Sequence, residues 1–61
     1  MRVGDLVKKV KGRHLGYSGV VLYVYNAKPT SPSIKNTIVE VLLGGGEVVN
    51  WPAHLTEVIS V

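Results

Sequence analysis

The chain has 61 residues, of which 46% are hydrophobic, and it carries a formal net charge of +3. Because it contains no cysteine, it has no disulfide and no thiolate metal site. So short a chain forms one domain over residues 1–61, and it buries only about 60% of the surface that its unfolded form exposes, which leaves a thin stability margin. No apolar run approaches the roughly 20 residues of a membrane span, and the first residues lack the apolar core of a signal peptide, so we expect a cytoplasmic protein.

The first strand is predicted over residues 3–10. β-branched residues dominate this run and no apolar stripe with a 3.6-residue period appears, which argues against a helix. Asp5 is typical of a turn near its beginning, where the carboxylate accepts from nearby backbone N–H groups. We expect Val7 to face the core, whereas Lys8 and Lys9 indicate a face that meets solvent.

A basic loop is predicted over residues 11–18, KGRHLGYS, because Gly12, Gly16 and the following Gly19 offer positions where positive φ costs little. The next run, residues 19–26, reads GVVLYVYN and has the strongest strand character in the chain, since nearly all its residues are β-branched or aromatic. It is apolar on both faces, so we expect a central strand that is paired on both sides.

The longest loop is predicted over residues 27–35, AKPTSPSIK, because Pro29 and Pro32 remove backbone donors. The other residues of this run are mostly small and polar, as is typical of a turn-rich connection. A third strand is predicted over residues 36–43, with Glu40 on its outward face.

Three glycines at residues 44–46 predict a hairpin turn into a fourth strand at 47–51. Residues 52–55, PAHL, are too few for an α-helix and suit a single 3₁₀ turn with Leu55 facing inward. A fifth strand is predicted over residues 56–61.

Five short strands in one small chain need closure to hide their edges, which predicts an all-β protein built as a small, strongly bent barrel. The interior of so small a barrel is filled by side chains, which leaves little room for a substrate pocket. The predicted core residues are Val7, Val21, Val39, Val41, Leu55 and Val58.

One stretch, residues 4–24, has a spacing of small and apolar residues that resembles the KOW motif of ribosomal proteins and transcription elongation factors. The resemblance is carried, without a gap, by Gly4, Asp5, Val7, Gly12, Gly16, Gly19 and Val21. Lys9 departs from the motif, which usually has an apolar residue there, and we expect Val10 to compensate by a local shift.

The ending WPAHLTEVI is similar to the 3₁₀ turn and last strand of an SH3-like barrel. Together the two resemblances imply a five-stranded antiparallel SH3-like barrel with a short 3₁₀ turn before the last strand. Taken whole, the chain resembles small SH3-like proteins encoded by bacteriophages, above all those of marine cyanobacteria. KOW-type barrels bind RNA, other proteins or both, so the resemblance implies a binding function without fixing the partner.

Few residues could carry out catalysis or hold a metal. His14 and His54 are the only histidines, and two imidazoles without cysteine or a nearby carboxylate pair make a poor metal site. The serines have no evident base and orienting group, and the four acids include no pair that is close in sequence. We therefore expect no catalytic residue, no metal and no cofactor, and we predict that the protein is not an enzyme.

The aromatic residues are three Tyr and one Trp, with no Phe. Purely structural rings are often Phe, because a buried Tyr or Trp must pair its polar group. Since the loops of an SH3-like barrel approach one another, the resemblance implies a partner-binding patch of rings edged with cations. Its predicted members are Lys9, Lys11, Arg13, His14, Tyr17, Trp51, Pro52 and His54. The alternative is that Trp51 plugs one end of the barrel and the Tyr rings cover the edges of the core.

The charge distribution bears on the partner. Residues 1–35 hold all seven Lys and Arg and a single acid, whereas residues 36–61 hold three Glu and no Lys or Arg. Such asymmetry can mark a surface for an anionic partner, although interleaved strands would bring Glu40 and Glu57 close to the lysines. For nucleic acid, cations would contact phosphates while rings stack on bases. The residues predicted for that role are Lys8, Lys9, Lys11, Arg13 and Lys28, with Tyr17 and Trp51 stacking.

A protein-interaction or assembly part would use the same aromatic patch or an open strand edge. We favour this function over nucleic-acid binding, because a net charge of +3 is small for a dedicated nucleic-acid binder. The predicted partner is therefore a protein or peptide, with RNA or DNA as the alternative and no membrane.

Overall fold

The computed structural model describes residues 1–28, 30–31 and 33–59, and over these residues the protein is all-β, as predicted. Its five strands are β1 (Leu6–Lys9), β2 (Ser18–Asn26), β3 (Thr37–Leu43), β4 (Val48–Pro52) and β5 (Thr56–Val58). The 3₁₀ turn expected before the last strand is present at Ala53–Leu55, and a second one, Ile34–Asn36, lies at the end of the predicted long loop. The prolines at positions 29 and 32 and the predicted strand end at 60–61 lie outside the described residues.

All five strands belong to one antiparallel sheet with the order β4-β3-β2-β1-β5. Strands β1 to β4 follow one another as a meander, and β5 returns to pair with β1 at the other side. The sheet is not closed into a barrel, so the predicted closure is wrong. The short β5 is paired with β1 alone, and Pro52 at the end of β4 lacks the N–H that a closing ladder would need.

The first strand is shorter than predicted because a turn occupies its expected beginning. Gly4 has a φ of 93°, and the backbone N–H of Asp5 donates to the Arg2 carbonyl at 3.0 Å. The Asp5 carboxylate accepts from the Arg2 backbone N–H at 2.8 Å, which is the turn contact that the sequence predicts. Strand β1 therefore begins at Leu6.

Strand β2 contains one extra residue relative to its partner strand β3. Val21 lies opposite Val41, but the next pair along the ladder joins Tyr23 to Glu40. Leu22 therefore has no opposite residue and forms a β-bulge, which bends the strand and increases its local twist.

The core lies on one face of this sheet. Four of the predicted core residues, Val7, Val21, Val39 and Val41, are at most 1% exposed, and Leu43, Trp51 and Ala53 join them. Leu55 is only half-buried, and Val58 is 37% exposed, so the prediction is wrong for Val58. Val58 lies on the edge strand β5, which has a paired neighbour on one side only.

Gly19 is a point of close approach between β2 and β3. A Cβ at this position would overlap the carbonyl oxygen of Leu42 and lie 2.7 Å from Cγ1 of Val41. Only glycine lets the two strands come this close without displacing one of them.

Candidate functional site

The alternation of β1 turns Lys9 toward the interior. Side chains in a strand point to opposite faces in turn, so Lys9 lies on the same face as the buried Val7, while Lys8 is exposed. Lys9 is only 3% exposed, and the prediction that both lysines face solvent is therefore wrong for it. The compensating shift expected of Val10 does not occur either, because Val10 follows the strand and is 40% exposed.

The buried Lys9 ammonium rests on a carbonyl and an aromatic face. Its Nζ donates to the backbone carbonyl of Arg13 at 2.7 Å and lies 5.6 Å from the centroid of the Trp51 ring. The ring face is electron-rich and attracts the cation. Among the described residues no carboxylate forms an ion pair with Lys9.

The loop between β1 and β2 is fastened to β1 by backbone hydrogen bonds. The Lys9 N–H donates to the Tyr17 carbonyl at 2.8 Å, and the Gly16 N–H donates to the Lys9 carbonyl at 2.9 Å. Gly12 and Gly16 have φ values of 79° and 88°, as the sequence predicts, whereas Gly19 lies within strand β2 and does not have a positive φ. His14 also has a positive φ, 64°, although it is not glycine. This tight fold carries the His14 ring back over the sheet.

His14 links the loop to the core. Nε1–H of Trp51 donates to Nδ1 of His14 at 3.1 Å, so His14 supplies the acceptor that the buried indole needs. The Tyr17 ring stacks on His14 with 5.1 Å between the ring centroids and 23° between the planes. The His14 and Trp51 rings are tilted by 47°, so the three rings form a contiguous row, stacked only between His14 and Tyr17, that leads from the core to the 53%-exposed Tyr17.

A groove of about 550 Å³ lies between the open edge of the sheet and this loop. One wall is formed by all the residues of β4, and the other wall is formed by Lys9, Arg13, His14 and Leu55. Within the described part of the chain, the lining includes two cationic side chains, those of Lys9 and Arg13, and no acidic one. The groove thus combines apolar walls with positive charge at the place where a closed barrel would have joined its edge strands.

The structure brings together five of the eight predicted partner-binding residues along this groove: Lys9, Arg13, His14, Trp51 and Pro52. Tyr17 joins them indirectly through its stack on His14. Lys11 and His54 are exposed and do not line the groove. Trp51 is 2% exposed, so it does not present the flat stacking surface that we predicted and is instead buried, as in the alternative.

A second surface, which the sequence interpretation missed, lies on the solvent face of the sheet. Leu6 is opposite Val20, Val20 is opposite Leu42, and Leu42 is opposite Val48, so one apolar side chain from each of β1 to β4 forms a row. We call these four residues the outer row. Their side chains are between 37 and 52% exposed. The signal in the sequence was the run 19–26, which is apolar on both faces. One of these faces lies in the core, and the other carries part of the outer row.

Two tyrosines extend the apolar character of this face. Tyr23 and Tyr25 stack on each other with 5.9 Å between the ring centroids, and Tyr23 is 58% exposed. Leu22, the bulge residue, is also exposed and lies two positions after Val20 of the outer row. The exposed face of β2 is therefore apolar from Val20 to Tyr25.

The described residues contain no group of three or more His, Cys, Asp or Glu that could hold a metal ion. In the same part of the chain no helix is long and apolar enough to cross a membrane. Comparison with known proteins gives no match to a family, a curated protein or a solved structure.

Proposed function

We propose that the chain is a non-enzymatic protein-binding module, an interaction or assembly part of KOW-like and SH3-like type that is encoded by a bacteriophage and acts in the cytoplasm of the host cell. The observation that carries the protein-binding part is the outer row. Four apolar side chains lie in register across four strands and remain exposed to solvent.

The outer row forms one continuous patch. Residues directly opposite each other in antiparallel strands have Cβ atoms about 4.5–5.5 Å apart, so each side chain of the row is the direct cross-strand neighbour of the next. Larger contiguous apolar patches on a soluble protein are typical of interaction surfaces. Because the row holds no charged side chain, an apolar protein surface fits it better than a nucleic-acid backbone, which requires cations.

The KOW-like part of the proposal depends on the glycine and valine spacing over residues 4–24. The SH3-like part is supported by the meander of four strands followed by a 3₁₀ turn and a fifth strand that pairs with the first. The phage origin depends on the resemblance of the whole chain and on no structural observation.

The alternative is an RNA- or DNA-binding module. It is favoured by the exposed loop between β1 and β2, in which Lys11, Arg13 and Tyr17 are all exposed to solvent. It is weakened by Trp51, whose ring is buried and whose N–H is occupied by His14, and by the burial of Lys9. Base stacking would be left to Tyr17, one face of which already lies on His14.

The test measures binding of nucleic acid and binding of protein fragments. The purified protein is titrated with labelled single-stranded RNA and DNA at two salt concentrations, and it is also panned against a displayed library of protein fragments. We expect enriched fragments whose affinity falls roughly tenfold or more in Leu42→Lys, because apolar anchors dominate such interfaces. Thr30→Lys adds the same charge to an exposed loop and should leave affinity unchanged.

A different pattern would support the alternative. Nucleic-acid binding that weakens steeply with salt, together with fragments that are insensitive to Leu42→Lys, would overturn the protein-binding proposal.

A further inference from the structure

We propose that the groove binds the C-terminal carboxylate of a partner polypeptide, whose last residues lie along β4 as an added strand. This inference rests on the proposed function only in taking the partner to be a protein. The two surfaces meet at Val48, which belongs to both, but the other residues of the outer row lie on the solvent face of the sheet, while the groove lies at its open edge.

Lys9 brings a positive charge into the lining of the groove. A buried ammonium is costly unless an anion or several acceptors compensate it, and Lys9 has one carbonyl and one ring face. An ammonium has three donors, so Lys9 retains the capacity to donate to an anion. Arg13 adds a second cation to the same lining, and among the residues that the structure describes no acidic side chain lines the groove. The groove is therefore suited to one anionic group at this end.

The backbone N–H and C=O groups of β4 alternate in direction along the strand. The Leu43 N–H donates to the Glu47 carbonyl at 2.8 Å, which makes these two residues a hydrogen-bonded pair of the β3–β4 ladder. Hydrogen-bonded and non-hydrogen-bonded pairs alternate in an antiparallel ladder, so Val49 is again bonded to β3. The backbone groups of Val48 and Asn50 then point away from β3, on the open edge where an extended peptide can pair.

Pairing of an added strand along β4 must stop at Pro52. Pro52 has no N–H, so an added strand loses its next donor just beyond Asn50. The Lys9 ammonium lies near this point, over the ring of Trp51. A peptide that ends here places its terminal carboxylate beside the cation, whereas a longer one has no further donor on β4. This favours a chain terminus over an internal acidic side chain.

The walls define the rest of the ligand. Val48, Val49, Pro52 and Leu55 line the groove with apolar surface, which suits apolar side chains in the last residues of the partner. A nucleic-acid phosphate would bring the same negative charge, but it has no apolar group to pack against these walls. Its bases would also find no free indole face, because Lys9 lies over the ring of the buried Trp51.

The test is a nuclear magnetic resonance titration of the ¹⁵N-labelled protein, in which the indole N–H of the single Trp reports on the site. The probes are acetyl-Val-Thr-Val-Leu with a free carboxylate, the same peptide as its amide, the amide of acetyl-Val-Glu-Val-Leu, and inorganic phosphate. We expect saturable shifts of the Trp51 indole and of the Val48 and Asn50 amides with the free carboxylate, and much weaker shifts with the other probes.

Matched variants identify the cations involved. Lys9→Met removes the ammonium from the groove, whereas Lys8→Met removes the same group from the opposite face of the same strand. We expect Lys9→Met and Arg13→Met to weaken binding of the free-carboxylate peptide roughly ten- to hundredfold, as for loss of a charged hydrogen bond, and Lys8→Met to leave it unchanged. Arg13 is exposed, so its variant tests the site even if Lys9→Met does not fold.

Several outcomes would overturn the inference. These are the absence of any shift, equal binding of acid and amide, equal binding of the internal glutamate peptide, saturation by phosphate at lower concentration than by peptide, or equal effects of Lys8→Met and Lys9→Met. If the peptide fails but fragments sensitive to Leu42→Lys still bind, only this inference fails. If those fragments are missing as well, the proposed function fails with it.

Discussion

Trp51 and His14 are 37 residues apart in the chain, and their side chains are joined by a 3.1 Å hydrogen bond from Nε1–H to Nδ1. A buried indole needs an acceptor, and here the acceptor comes from a loop rather than from the sheet. The conformation of the basic loop and the packing of the core are therefore coupled.

Removing the acceptor should destabilise the fold. His14→Gly keeps the positive φ without strain but leaves the Trp51 N–H unpaired, which costs about 1–3 kcal/mol. The measurement is the unfolding free energy from denaturant titration followed by the fluorescence of the single Trp. Leu15→Gly, at an exposed position of the same loop, is the control and should cost clearly less. Equal losses in the two variants would show that loop entropy, and not the hydrogen bond, sets the effect.

The two ways of removing the Lys9 charge should have opposite consequences for stability. Lys9→Met keeps most of the buried stem and removes the cost of burying a cation, so its denaturation midpoint should equal or exceed that of the wild type. The Arg13 carbonyl belongs to an exposed loop residue, where water can replace the lost donor. Lys9→Ala also deletes the stem and should cost about 2–5 kcal/mol, as for truncation of a buried Met. A large loss in Lys9→Met would mean that the ammonium itself holds the loop in place.

Gly19→Ala should be among the most damaging small substitutions in the chain. The new methyl group meets backbone of β3, and overpacking of this kind costs about 1–3 kcal/mol. Gly44→Ala is the matched control, since nothing lies within 4 Å of a Cβ there, and it should change stability little. Thermal unfolding followed by circular dichroism measures both, and equal midpoints would argue against the close approach of β2 and β3.

Amide hydrogen exchange should alternate along β4. Val49 and Trp51 direct their N–H groups to β3, while those of Val48 and Asn50 face the open edge and should exchange much faster. The comparison is made on the free protein at low concentration. Uniform protection of all four amides would show that the edge is already paired.

The sequence predicted those features that depend on local patterns. Alternation of apolar residues identified Val7, Val21, Val39 and Val41, and the glycines identified the turns, because both follow from the period of a strand and from the freedom of φ. The outer row was missed because residues 19–26 are apolar on both faces of the strand. This sequence pattern fits a strand that is buried on both faces and equally a strand with one face open to solvent.

The site residues were predicted only in part, for a different reason. Lys9 was assigned to solvent from its charge, although the pleat that buries Val7 requires Lys9 to be on the same face. Trp51 was expected to be an exposed ring. A buried indole needs a hydrogen-bond partner, and the partner, His14, is distant in the chain, so no local pattern indicates it. Closure of the barrel was inferred from the need to hide edges, and that argument does not apply if a partner covers them.

The β-bulge at Leu22 makes this chain tolerant of one particular deletion. Elsewhere in a strand, loss of one residue turns every following side chain to the wrong face. Leu22 has no opposite residue, so its loss would leave Val21 opposite Val41 and Tyr23 opposite Glu40, with all inward residues still facing inward. Natural or engineered chains that are one residue shorter at this position should therefore keep the same core, and a length difference there is not a sign of a different fold.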